Sequence, residues 1–117
     1  MAADPRRGEI WLVELDPTRG SEIKKTRSAV VVSSNAINGL PVRIVAPVTG
    51  FQEKHMKRLW SVPVEATGAT GLEKKSTVMP EQVRCVSLER FVLLQGSVPP
   101  YVMEELDAAL KIVLDLN

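Results

Sequence analysis

Seven short runs of β-branched and other apolar residues follow one another along the first four-fifths of the chain. They cover Ile10 to Leu15, Ala29 to Ser33, Val42 to Val48, Trp60 to Val64, Ser76 to Met79, Gln82 to Val86 and Phe91 to Gln95. Gly, Pro, Asn or Asp interrupts the chain between most of them, which marks strands joined by tight connections. Strands this short, linked this closely, favour a small antiparallel barrel or a strongly curled sheet. Within the third run, Val42, Ile44 and Ala46 alternate with Arg43, Val45 and Pro47; the apolar Val45 on the second face implies that both faces are partly covered.

The period changes near the C-terminus. From Pro99 onward, Val102, Met103, Leu106, Ala109, Leu110, Val113 and Leu114 fall at helical spacing and form one apolar stripe. Pro99 and Pro100 suit a helix start, Glu104 and Glu105 sit toward the positive end of its dipole, and Lys111 lies later. The expected fold is therefore mostly β with a C-terminal helix. The chain has 117 residues, a length that hides about two-thirds of its surface on folding. That is one core, so a single domain is expected over residues 1–117.

Several classes of function drop out. The apolar runs are too short to span a bilayer. One cysteine, Cys85, and one histidine, His55, give neither an internal disulfide nor a Cys/His-rich zinc site. No apolar stretch follows the charged N-terminus as in a signal peptide, so a cytoplasmic location is expected. There is no Gly-rich phosphate loop and no tight carboxylate cluster for two-metal catalysis. No metal and no cofactor are expected.

The formal net charge of +1 seems to argue against nucleic acid, but the charge is segregated. Residues 17–27 carry Arg19, Lys24, Lys25 and Arg27 against Glu22, a net +3, and residues 50–59 carry Lys54, Lys57 and Arg58 against Glu53, a net +2. The rest of the chain sums to −4, of which residues 101–117 supply −3. Two basic loops on one small barrel, the second with Phe51 and His55 as rings for base stacking, suit a polyanion. A solvated charge run is the plain alternative for either loop.

RNA can be cut without metal, because its own 2′-hydroxyl attacks the adjacent phosphate when held in line. The protein then stabilises charge on the phosphorus and moves two protons. Arg27 offers a planar fork of donors, and Thr49, at the end of the third run before Gly50, offers a hydroxyl. An exposed base and an ordinary turn residue are the alternatives for these two. His55 is the one side chain with an ordinary pKa near neutrality.

These residues sit in a longer pattern. Residues 7–22 read Arg-Gly-Glu-Ile-Trp-Leu-Val-Glu-Leu-Asp-Pro-Thr-Arg-Gly-Ser-Glu, and Arg27-Ser-Ala-Val-Val-Val-Ser33 follows. Later come Val45-Ala-Pro-Val-Thr49, Val62-Pro-Val-Glu65, Ser76-Thr-Val with Glu81-Gln-Val-Arg84, and Asp107-Ala-Ala-Leu110. From about Arg7 to Leu116 the chain resembles the MazF/PemK toxins of prokaryotic toxin–antitoxin pairs. The resemblance implies an SH3-like or CcdB-like barrel acting as a homodimer. It implies a metal-independent endoribonuclease that cuts single-stranded RNA at a short sequence and leaves 2′,3′-cyclic phosphate and 5′-hydroxyl ends. It also implies a cognate antitoxin whose acidic, flexible tail competes with RNA.

In the family, the arginine opening the second strand and the threonine ending the third are the catalytic pair, which here are Arg27 and Thr49. RNA-binding positions fall on Ser21 and Glu22 of the Gly-Ser-Glu loop and on Ser76 and Gln82 of the later strands. Glu22 and His55 are the two candidates for the acid/base. Family members commonly have proline after the arginine; Ser28 stands there, which removes a backbone restraint beside Arg27. Two other functions suit the same barrel. One is a non-enzymatic poison of DNA gyrase of the CcdB kind, which has no need of Arg27, Thr49 and Gln82. The other is a passive RNA binder, which never yields cyclic-phosphate ends.

Overall fold

Every expected run becomes a strand. The computed structural model describes residues 3–117. It contains β1 (Glu9–Glu14), β2 (Thr26–Val31), β3 (Val42–Gly50), β4 (Val62–Val64), β5 (Ser76–Val78), β6 (Arg84–Ser87) and β7 (Phe91–Ser97), then helix α1 (Pro100–Val113). The boundaries shift where local hydrogen bonds prevail. Gln82, expected in a strand, closes a 3₁₀ turn over Pro80–Gln82, in which the Gln82 N–H donates to Met79 O and that of Val83 to Pro80 O. β2 stops at Val31 because the N–H groups of Val32 and Ser33 both donate to Ile44 O, which kinks the strand as a bulge does.

All pairings are antiparallel, in the order β4-β5-β3-β2-β1-β7, with β6 also on β3. β3 is the spine. Its first residues pair with β6, its middle with β2, and Val48, Thr49 and Gly50 with Val78, Thr77 and Ser76 of β5. One strand serving three neighbours wraps the sheet into a partly open barrel. Two apolar clusters fill it. Ile10, Val30, Val48, Val62, Val64 and Val78 pack with Val102, Leu106 and Ala109 of α1. Val13, Leu15, Ala29, Val31, Val45, Val86 and Phe91 form the other. β2 sends alternate residues to each cluster, so both of its faces are covered.

The helix begins as expected, with Pro100 in its first turn. Only Val102, Leu106 and Ala109 are fully buried, with Met103 and Leu110 packing beside them, so the core stripe is narrower than the sequence suggested. The first turn holds no acidic residue. Glu104 and Glu105 therefore lie beyond the reach of the dipole's positive end, which fades within that turn. The Arg7 guanidinium donates to both Val32 O and Asp107, tying α1 to the sheet.

Two further features shape the surroundings of the site. Arg43 is 1% exposed while Ile44 is 37% exposed, the reverse of what polarity suggests. Its guanidinium is fully engaged, donating to the carbonyls of Pro5 (2.8 Å), Leu40 (2.9 Å), Val42 (2.8 Å) and Asn38 (3.4 Å) and to Asp4 Oδ1 (3.1 Å). The second feature is a contact between the β4–β5 connection and β7 that leaves no room for side chains. A Cβ on Gly96 would meet Ala69 O at 2.3 Å, and one on Gly71, whose φ is +69°, would meet Gln95 O at 2.1 Å. This contact sets residues 71–74 beside the open end of β3.

Candidate active site

At that open end lies a cleft of about 370 Å³ whose lining includes Arg27, Ser28, Thr49, Glu73, Lys74 and Gln95. Arg27 is the second residue of β2, opposite Val13 of β1, and half-buried. Its Nε donates to Lys24 O at 2.9 Å. Among the described residues its two terminal nitrogens have no acceptor. Thr49 reaches the same cleft from β3, opposite Thr77, and Gly50 beside it pairs with Ser76. Ser76 lines the cleft and is buried; its Oγ donates to Lys74 O at 2.9 Å. Ser28, where the family's proline commonly stands, donates from Oγ to Gln95 Oε1 at 2.6 Å. That bond spans β1 to join β2 and β7, so the missing ring is replaced by a cross-strand tie beside Arg27.

Two lining residues escaped sequence reasoning. A Cβ on Gly50 would lie 3.2 Å from both Cε and Nζ of Lys74, so the lysine folds over the strand at its glycine. A glycine in a strand interior or end marks such close approach, and Gly50 was the available signal. Glu73 is the one carboxylate among the cleft's lining residues. Nothing in the sequence distinguished it, because a loop folding back from 24 residues downstream of Thr49 brings it there. The site thus combines two cations and a hydroxyl, donors suited to a phosphodiester, with a carboxylate that can accept a proton, around one space.

Ser21, Glu22 and Gln82 do not line this cleft; Gln82 meets the loop at Ser21 and Ile23, on either side of Glu22. Gln82 accepts from Ile23 N–H at 3.2 Å through Oε1 and donates to Ser21 O at 3.1 Å through Nε2. Its two backbone bonds hold the basic 17–25 loop against the barrel. Glu22 Oε1 accepts from Arg19 N–H at 2.7 Å, a local turn bond that leaves the residue exposed.

His55 corrects a second expectation. It is 4% exposed and so cannot stack on a base. It sits in a 3₁₀ turn over Glu53–Lys57, where Nδ1 accepts from Gln52 N–H at 3.2 Å and lies 3.2 Å from Thr77 Oγ1. Burial, reinforced by the positive charges of Arg58 and Lys54 and only partly opposed by Glu81, pushes its pKa below the ordinary 6.5. The unfolded chain accepts the proton near 6.5 while the folded one resists it. This contribution to stability is therefore complete above that pH and is lost as the pH falls toward the lowered folded value. Denaturant unfolding of wild type and His55→Gln should show it: the difference in stability shrinks on acidification below about 6.5, with a slope of at most about 1.4 kcal/mol per pH unit. A difference independent of pH would remove the assignment.

The family model of PemK-like, MazF-like toxins of type II toxin-antitoxin systems matches residues 6–114. Endoribonuclease MazF9 of Mycobacterium tuberculosis is 41% identical, over 95% of this chain and 97% of that relative. The crystal structure of MazF from Deinococcus radiodurans aligns with a TM-score of 0.81 at 23% identity, over 97% of this chain and 98% of that one. An endoribonuclease in complex with its cognate antitoxin, from Mycobacterial species, aligns at 0.77 and 18%, covering 97% of each chain. The structural alignments establish the fold. With a family match across nearly the whole chain and a relative this similar, the protein belongs to the PemK-like, MazF-like toxins of type II toxin-antitoxin systems.

Proposed function

We propose that this protein is an endoribonuclease toxin that cuts single-stranded RNA at a short sequence without a metal ion. The observation that carries the reading is the convergence of Arg27, Thr49 and Lys74 on one cleft in a chain 41% identical to endoribonuclease MazF9. The 2′-oxygen bonds to phosphorus as the P–O5′ bond breaks, leaving a 2′,3′-cyclic phosphate and a 5′-hydroxyl. Arg27 and Lys74 offset the charge that builds on the phosphoryl oxygens, and the Thr49 hydroxyl donates to one of them. A guanidinium offers only donors and no acceptor, so Arg27 serves as a charge and donor rather than as the base. Glu73 takes the proton of the 2′-hydroxyl, and the departing 5′-oxygen takes a proton from solvent water to become the 5′-hydroxyl. Glu22 engages RNA from the loop beside Ser21, Gln82 keeps that loop in place, and Ser76 supports the backbone of Lys74. His55, shielded from the cleft, acts on the fold rather than on the proton.

The partners follow the same reading. RNA is the substrate, and a cognate antitoxin with an acidic segment covers the basic loops. A second copy completes a homodimer, for which β7 supplies an edge strand with Val92, Leu93 and Leu94 about half exposed. The protein acts in the cytoplasm, where RNA is available. Among the described residues no helix is long and apolar enough to cross a membrane. A gyrase poison gains no support from a match to the PemK-like, MazF-like family, and gives the two cations in the cleft nothing to bind.

A rate-against-pH profile in EDTA, with end-group analysis of the products, tests the reading. Wild type should release cyclic-phosphate ends, and Glu73→Gln should lose the acidic limb of the profile that Glu22→Gln keeps. Absence of cyclic-phosphate ends overturns the endoribonuclease reading. An acidic limb that survives in Glu73→Gln overturns the choice of base alone.

A further inference from the structure

The cleft has a basic neighbour. Past Gly50 the chain continues beside the segment entering β5, and the Phe51 N–H donates to Lys75 O at 3.1 Å. The two adjacent lysines of that segment part company here. Lys74 folds over Gly50 into the cleft, whereas Lys75 places Nζ 4.2 Å from the centroid of the Phe51 ring. Beyond the ring opens a groove of about 670 Å³ lined by Phe51, Glu53, Lys54, Met56, Lys57 and Lys75. Lys54 and Lys57 are exposed and, among the described residues, have no acidic side chain within ion-pair distance; Lys75 pairs with Glu65 at 3.6 Å. Met56, 63% exposed, adds apolar surface beside the ring. The turn that presents these side chains is pinned from beneath by buried His55, so the groove is a fixed surface.

We infer that this groove is a second binding site for single-stranded RNA, taking nucleotides that continue from the cleft. This rests on the endoribonuclease reading. Two unpaired lysines beside an aromatic ring and a thioether match a chain that alternates phosphate with flat bases: Lys54 and Lys57 meet phosphates, while Phe51 and Met56 meet a base. Gly50 and Lys74 line the cleft while their chain neighbours Phe51 and Lys75 line the groove, so the two spaces adjoin along the same pair of segments. The groove makes RNA length, and not only the cut sequence, a determinant of affinity.

Fluorescence anisotropy with random-sequence RNAs of about four and about ten nucleotides tests this. Arg27→Ala protein is used so that the probes survive, alone and with Lys54→Gln/Lys57→Gln or Phe51→Ala added. The parent should bind the longer RNA at least about 10-fold more tightly, and both additions should remove most of that preference. The lysine pair should also flatten the salt dependence, lowering the slope of log K against log salt by about 1.4. A length preference unchanged by the substitutions overturns the inference. So does a groove that binds an oligoglutamate probe but gives no such preference for RNA, which would assign it to an acidic polypeptide. Failure of the endoribonuclease reading is seen separately, as absence of cyclic-phosphate ends from wild-type protein, and leaves the binding comparison readable.

Discussion

Replacing Arg27 by alanine should lower the rate of RNA cutting by about 10³-fold or more, because one preorganised charged donor at a phosphoryl transition state is worth that much. The fold should hardly notice. Arg27 is half-buried, and among the described residues its side chain makes one hydrogen bond, from Nε to Lys24 O. Loss of a single partly exposed bond costs about 1 kcal/mol or less. Arg27→Lys separates the two contributions of the side chain: it keeps the charge but loses the planar fork, so it should recover part of the rate and not all of it. The measurement is single-turnover cutting of a defined RNA, with circular dichroism melting as the control for folding. A wild-type rate in Arg27→Ala would remove the residue from the chemistry, and with it the reason for placing the scissile phosphate in this cleft.

The largest effect on stability is expected at a second arginine. Arg43→Ala should destabilise the fold by about 3–5 kcal/mol, because it strips the donor from several carbonyls at a buried position, each costing about 1–3 kcal/mol when left unsatisfied. At this chain length that lowers the melting temperature by roughly 10 °C or more. The loss comes from the carbonyls of Pro5, Leu40, Val42 and Asn38, which the guanidinium satisfies from a buried position. It does not come chiefly from the ion pair, since the Asp4 side chain is 58% exposed and such pairs contribute about 0–1 kcal/mol. Asp4→Asn should therefore cost less than about 1 kcal/mol. Equal losses in the two variants, read by denaturant unfolding, would show that the carbonyl network is not what Arg43 supplies.

These two arginines also show what could be read from sequence and what could not. Strands and helix were legible because β-branched runs, breaker residues and a change of period are local signals. A chain-long resemblance singled out Arg27 and Thr49, and both line the same cleft. Arg43 was not legible, because alternation reports polarity and takes no account of carbonyls arriving from Pro5 and Leu40 to solvate a charge inside. His55 was misread for a related reason: its loop is basic and exposed on average, but Thr77 and Gln52 take its ring inward. Gln82 was placed in a strand but closes a 3₁₀ turn, and its side chain reaches backbone groups about 60 positions away in sequence, which no local signal reports. Glu73 and Lys74 were invisible, since only the folding back of the β4–β5 connection sets them beside Thr49.

That connection carries a mechanical consequence. Where Gly71 and Gly96 meet, backbone rests on backbone, with Ser97 N–H donating to Ala69 O at 2.9 Å, and a single added methyl group on either residue would collide. The segment bearing Glu73 and Lys74 is thus seated by direct backbone contact with β7. Residues 17–25 lie outside the cleft lining and are tied to the barrel by Gln82, by the Leu15 N–H to Lys25 O bond and by Ile23 packing on the core. A ligand entering the cleft therefore meets a wall set by direct backbone contact, whose place any side chain larger than hydrogen at Gly71 or Gly96 would disturb.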